Sequence, residues 1–106
     1  MIKLAIRIDV RDNTAMAIDA LSPGEMISVL SDEAAEIDRL TVREEVPLPY
    51  HKVALTDIDA GDPVLKYGEV IGYASVPIRR GDWVHLHNLA SAGFYQAVTA
   101  EGEAHG

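Results

Sequence analysis

A mostly β domain follows from three features of this sequence. Apolar and polar residues alternate over short stretches, turn-forming residues recur between those stretches, and no segment repeats its apolar residues at the period of a convincing amphipathic helix. Alternation with a period of two places successive side chains on opposite faces of a pleated strand, so that one face is buried and the other meets water. With 106 residues the chain is long enough for one domain with a modest core.

The elements follow in order. Ile2, Leu4, Ile6 and Ile8 alternate with Lys3, Ala5, Arg7 and Asp9, which is the cleanest strand signal in the chain. Asp9 to Asn13 then supplies turn chemistry, because Asp and Asn side chains bond to nearby backbone. Thr14 to Ile18 and Met26 to Leu30 read as the next two strands, separated by the Ser22-Pro23-Gly24 turn. Ser31 to Glu36 is either one turn of helix capped by Ser31 or a surface loop, since a helix that short has no stability of its own. Leu40 and Val42 mark a further strand, and Pro47 and Pro49 then interrupt regular structure. His51, Val53 and Leu55 share one face of the strand that follows. Val64 to Tyr67 and Val70 to Ala74 are short apolar runs split by a turn at Gly68-Glu69, and Trp83 to His87 reads as the last strand. Residues 1–90 are thus assigned to the domain and residues 91–106 to a partly disordered tail, in which His105 carries no signal. The Ala-rich run from Leu89 to Ala100, with Phe94 and Tyr95, offers a short docking segment.

One device recurs: an aliphatic residue, two variable positions, Gly, an acid, one variable position and a β-branched residue. It occurs at Leu21/Gly24-Glu25/Ile27, at Ile58/Gly61-Asp62/Val64 and at Ile78/Gly81-Asp82/Val84. Its physical reading is a tight turn with positive φ at Gly, feeding a strand. The unequal spacing excludes a solenoid, and the acids are read as turn hydrogen-bonders.

Composition narrows the function. The absence of cysteine excludes disulfides, thiolate metal sites and a cysteine nucleophile. Seventeen acidic against nine basic residues give a formal net charge of −8, a field that repels phosphate backbones and anionic lipid, so neither nucleic acid nor a membrane surface is expected as partner. No apolar run reaches the length of a membrane span, and charged residues interrupt the N-terminal segment, which points to the cytoplasm. Phosphate loops, dinucleotide fingerprints, nucleophile elbows and HExxH motifs are absent.

The chemistry-bearing residues concentrate between His51 and Asn88. Trp83, His85 and His87 fall on one face of the last expected strand, with imidazoles spaced to meet one metal ion or one substrate. A polar strand face, metal ligation, and substrate binding or proton transfer all remain open from this pattern. His51 is a third imidazole in the same stretch. Lys52, Lys66, Arg79 and Arg80 could locally offset the acidic field for an anionic substrate, although Arg79-Arg80 reads more simply as a solvated turn. Tyr67 and Glu69 flank Gly68.

The runs His51-Lys52-Val53-Ala54-Leu55-Thr56-Asp57-Ile58, Val64 to Gly72 and Val84-His85-Leu86-His87-Asn88 resemble the SAF-type domain of the altronate dehydratase family. Asp12-Asn13 before the second strand is similar to the same family, and the resemblance covers about residues 2 to 90. Tyr50 stands where the family usually has Gly, which permits backbone conformations that Tyr rarely adopts. The resemblance implies a β-clip fold, with short strands folded over in hairpins. It also implies removal of water from a 2,3-dihydroxy sugar acid to give a 2-keto-3-deoxy acid. On that reading the chain is a small lyase subunit working with a large catalytic subunit. A divalent metal (Fe2+ or Mn2+) is expected mainly on the large subunit, and self-association into a homo-oligomer is compatible. His85, His87 and His51 are the implied catalytic residues, with His85 and His87 also as candidate metal ligands. Asn88, Lys52, Asn13, Tyr67 and Glu69 are the implied substrate-binding residues. The small subunit of sulfolactate sulfo-lyase resembles the chain comparably well, and a non-catalytic β-clip carbohydrate-binding module is the alternative from another functional class.

Overall fold

A computed structural model describes residues 2–91, so the expected tail beyond Ser91 lies outside the described residues. All regular structure within them is strand. In order these are β1 (Lys3–Ile6), β2 (Thr14–Ala17), β3 (Met26–Leu30), β4 (Glu36–Thr41), β5 (Lys52–Ala54), β6 (Pro63–Lys66), β7 (Glu69–Ala74), β8 (Trp83–Val84) and β9 (Leu89–Ala90). They form a six-stranded sheet, β4-β3-β1-β2-β5-β8, and a three-stranded sheet, β6-β7-β9. Pairing is antiparallel throughout except between β1 and β3. This short-stranded, two-sheet arrangement bears out the mostly β expectation and is consistent with a β-clip.

Two cores fill the molecule, and β5 is the seam between them. Val53 and Leu55 point into the first, with Ala5, Ile27, Val29 and Val46, whereas Ala54 points into the second, with Ile58, Val64, Ile78 and Val84. A strand buried on both faces reads as continuously apolar, which is the pattern of Val53-Ala54-Leu55. The neighbouring β8 divides in the same way, with Trp83 against the first core and Val84 inside the second.

The recurring turn explains how such short strands stay registered. Gly24, Gly61 and Gly81 have φ of 87°, 90° and 93°. In each copy the Gly N–H donates to the carbonyl of one residue on a partner segment, and that residue's N–H donates back to the acid's carbonyl. The pairs are Gly24-Glu25 with Val42, Gly61-Asp62 with Ala74, and Gly81-Asp82 with Ala54. Ile58 and Ile78, the aliphatic residues of the second and third copies, bridge one another. At Gly81 the requirement is steric as well, because an added Cβ would stand 2.4 Å from the Thr41 carbonyl oxygen, whereas at Gly24 nothing lies within 4 Å. Gly24→Ala is therefore expected to cost about 1 kcal/mol of backbone strain, and Gly81→Ala at least about 1 kcal/mol more. Urea midpoints of the two variants check this, and equal losses would contradict it.

The structure moves several expected boundaries. The β3–β4 connection is a loop in which the Ser31 hydroxyl accepts the Glu33 and Ala35 N–H groups, so the cap is real but no helix follows. The tight turn after β6 is Tyr67-Gly68, with φ of 57° and 73°, one residue before the expected position. The expected strand from Trp83 to His87 ends at Val84. Asn88 is the reason. Its side-chain oxygen accepts the His85 N–H at 3.0 Å and its amide donates to the Trp83 carbonyl at 2.8 Å, and these bonds curl the chain into a turn.

Candidate functional site: an imidazole cluster around Trp83

Three elements, the start of β5, β8 and the turn closed by Asn88, meet at the cluster and fix its side chains. β5 begins at Lys52, so His51 sits just outside the ladder, with its carbonyl still bound by the Ala17 N–H at 2.9 Å. Tyr50 before it has φ of 64°, so it adopts the left-handed conformation to which Gly is better suited. β8 pairs Trp83 opposite Val53, which puts the indole diagonally across from His51, within reach of an aromatic side chain. The turn closed by Asn88 then carries His85 and His87 back over the indole.

The result is a stack of rings. The Trp83 Nε1–H donates to His51 Nδ1 at 3.1 Å. His85 lies nearly parallel to the indole, with centroids 5.1 Å apart and planes 11° apart, and His51 and His85 stand 4.6 Å apart. His87 also packs against Trp83, with centroids 5.0 Å apart, and its Nε2 is 4.0 Å from a Glu44 carboxylate oxygen. Glu44 also accepts the Trp83 backbone N–H at 3.2 Å. Nothing in the sequence marks Glu44, because it lies on a loop far from the histidines in the chain. The expected face of Trp83, His85 and His87 does form, but through a turn rather than along a strand.

Electrostatics sets the protonation of the cluster. Burial, then the neighbouring charges of His51, Lys52 and His87, hold His85 below the ordinary imidazole value of 6.5. His85 is therefore neutral at pH 7 and available as an acceptor. As pH falls below about 6.5 the unfolded chain takes up this proton first. The stability associated with neutral His85 is thus present above 6.5 and is lost as pH falls through the depressed folded value. An NMR titration should place the His85 midpoint below 6.5, and a midpoint at or above that value would contradict the geometry.

Lys52 is half-buried, and among the described residues its ammonium makes no hydrogen bond or ion pair. Burial and then the nearby Lys66 lower its pKa. An unpaired cation whose charge acts on His85, in a chain of net charge −8, makes this part of the surface less acidic than the rest. Along its flank an open apolar groove of about 270 Å³ is lined by Met16, Ala17, Ile18, Leu48, Pro49 and Tyr50.

The other expected site residues are placed differently. Asn88 is buried, with both ends of its amide committed to the turn. Asn13 donates to the Pro63 carbonyl and accepts the Leu65 N–H, tying β6 to the chain before β2. Tyr67 and Glu69 belong to the β6–β7 hairpin, and no hydrogen bond or ring contact joins them to the imidazoles among the described residues. Arg80 is spent on Asp38 and on the Leu55 and Arg39 carbonyls, and Arg79 lies 3.7 Å from Asp57. Among the described residues no group of three or more His, Asp or Glu side chains converges to hold a metal ion. With His51 Nδ1 also occupied by the indole, the described residues do not by themselves assemble a divalent-metal site.

Residues 3–92 match the altronate/galactarate dehydratase SAF domain. The chain is 42% identical over 83 residues to the altronate dehydratase of Escherichia coli (strain K12), covering 78% of this chain and 15% of that enzyme. It is 31% identical over 86 residues to the altronate dehydratase of Bacillus subtilis (strain 168), covering 81% and 16%. Against the (2R)-sulfolactate sulfo-lyase subunit alpha of Paracoccus pantotrophus identity is 40% over 63 residues, covering 59% of this chain and 91% of that subunit. The chain thus spans less than a fifth of the altronate dehydratases it matches, but corresponds to nearly all of a sulfo-lyase subunit. Because the match takes in every strand of both sheets, from β1 to β9, the chain belongs to the altronate/galactarate dehydratase SAF domain family.

Proposed function

We propose that this chain is the small portion of a sugar-acid dehydratase of the altronate type and acts together with a larger catalytic portion. The observation that carries this reading is the convergence of His51, His85 and His87 around Trp83, with the charge of the unpaired Lys52 acting on His85, in an otherwise acidic domain. A sugar acid offers a carboxylate and vicinal hydroxyls. The Lys52 ammonium is suited to the carboxylate as a point charge, and the imidazoles are suited to hydroxyl and enol oxygens. In the reaction a base removes the proton at C2 and an acid assists departure of the C3 hydroxyl as water; the enol then becomes a 2-keto-3-deoxy acid. Within this chain, neutral His85 is the group suited to hold or receive a proton. The adjacent apolar groove offers the larger portion a surface on which to seat.

The match to nearly the full length of a sulfo-lyase subunit alpha favours a second reading, in which the same face serves elimination from a sulfonated hydroxy acid. One reconstitution separates the readings. The chain is co-purified with its large-portion candidate and assayed on a panel of aldonic acids and sulfolactate, with and without this chain. The expected result is a stable complex that forms 2-keto-3-deoxy acid only when both parts are present. Activity on sulfolactate alone selects the second reading. No complex and no activity would overturn both and leave a β-clip binding module.

A further inference from the structure

The three imidazoles are not equivalent, and the indole between them makes the difference. A neutral imidazole has one protonated and one unprotonated nitrogen, and only the unprotonated one accepts a hydrogen bond. The Trp83 Nε1–H has no accepting ability, so its 3.1 Å bond to His51 Nδ1 requires that Nδ1 be unprotonated. The proton of neutral His51 must then be on Nε2.

We propose that Trp83 is the positioning residue for His51. Its indole N–H fixes the tautomer protonated at Nε2, so that His51 presents a hydrogen-bond donor, not a base, to an oxygen of the bound hydroxy acid.

The indole is well placed to do this, because it is anchored at several points. The Trp83 backbone N–H donates to Glu44 and its carbonyl accepts the Asn88 amide. The ring is part-buried against the first core and stacked by His85 on one side, with His87 packed against it as well. The backbone bonds fix where the ring starts, and rotating the ring to release His51 would disturb its packing against the core, His85 and His87. A neutral imidazole donor polarises a carbonyl or enol oxygen without delivering a full charge, which suits an oxygen on which negative charge develops. The roles therefore divide: His51 donates through Nε2–H and His85 accepts.

The role in turnover rests on the dehydratase reading; the tautomer does not. Trp83 is the only tryptophan in the chain, so biosynthetic replacement by 3-benzothienylalanine changes one atom group, N–H to S, and keeps the ring shape. The first measurement is 15N NMR of histidine-labelled protein at about pH 8, where imidazoles are neutral. In the native protein His51 should show a protonated Nε2 and an unprotonated Nδ1; in the analogue it should become a mixture of tautomers. A native His51 protonated at Nδ1, or an analogue with an unchanged tautomer, overturns the proposal. The second measurement is turnover of the reconstituted enzyme, in which the analogue is expected to lose about tenfold in kcat with KM little changed, as for other groups that orient a working imidazole. A fully active analogue alongside an inactive His51→Ala variant overturns the positioning role. A fully active His51→Ala variant overturns the dehydratase site instead, whatever the tautomer.

Discussion

Alanine at both His85 and His87 is expected to lower turnover of the reconstituted enzyme by at least about 100-fold, the range typical of losing a positioned proton carrier. The two chains should remain associated. Both side chains lie on top of Trp83, outside the two cores, and the turn that carries them is held by the Asn88 amide and by the bonds from the Asn88 and Leu89 N–H groups to the His85 carbonyl. None of those bonds uses an imidazole, so the variant should fold. Single variants separate the two residues. His85 is the one held neutral, so His85→Ala should account for most of the loss and should flatten the acid limb of the kcat profile. His87 is nearer Glu44, and His87→Ala should raise KM more than it lowers kcat. Far-UV circular dichroism and co-purification verify folding and assembly. Full turnover of the double variant would remove the imidazoles from the mechanism.

How far the site could be read from the sequence differs from residue to residue, for physical reasons. Period-two alternation located β1, because a half-buried strand leaves its trace in the order of residues. The Gly-acid device was legible as a turn, since positive φ leaves few choices besides Gly. Its reciprocal bonds to Val42, Ala74 and Ala54 were not, because they join segments distant in sequence through backbone atoms that carry no residue-type signal. The same limit applies to the site. His85 and His87 were close in sequence and were brought together as expected, though a side chain, Asn88, bent the strand that should have carried them. Asn88 and Asn13 have the residue type of substrate ligands, yet both amides satisfy backbone groups. Residue type cannot distinguish these uses, because the donors and acceptors are the same in either case.

Asp12→Ala is expected to be the most destabilising single change outside the cores, by about 3–5 kcal/mol. Asp12 is 8% exposed, and its carboxylate accepts three backbone N–H groups: Asp9 at 3.1 Å, Tyr67 at 3.0 Å and Gly68 at 2.7 Å. Two of these donors are the turn of the β6–β7 hairpin, more than fifty residues away in the chain. A turn with both residues in the left-handed region points its N–H groups the same way, and without an acceptor they would be left unsatisfied at about 1–3 kcal/mol each. Arg11, paired with Asp9, packs against the same turn: an added Cβ at Gly68 would meet the Arg11 guanidinium at 2.4 Å, so no side chain can replace the carboxylate from that side. Next along the chain, Asn13 and Thr14 bond to Pro63, Leu65 and the Leu65 carbonyl, so Asp12, Asn13 and Thr14 together attach the second sheet to the first. For a domain of this size the loss corresponds to a fall in Tm of about 15–30 °C. Asp12→Asn keeps one acceptor oxygen but turns an N–H donor toward the hairpin, and should fall between the two. Thermal unfolding of both variants checks this, with amide exchange at Tyr67 and Gly68 as the local readout. A loss below about 1 kcal/mol for Asp12→Ala would mean that the hairpin holds its shape without the carboxylate, and that Asn13, Thr14 and packing suffice to join the two sheets.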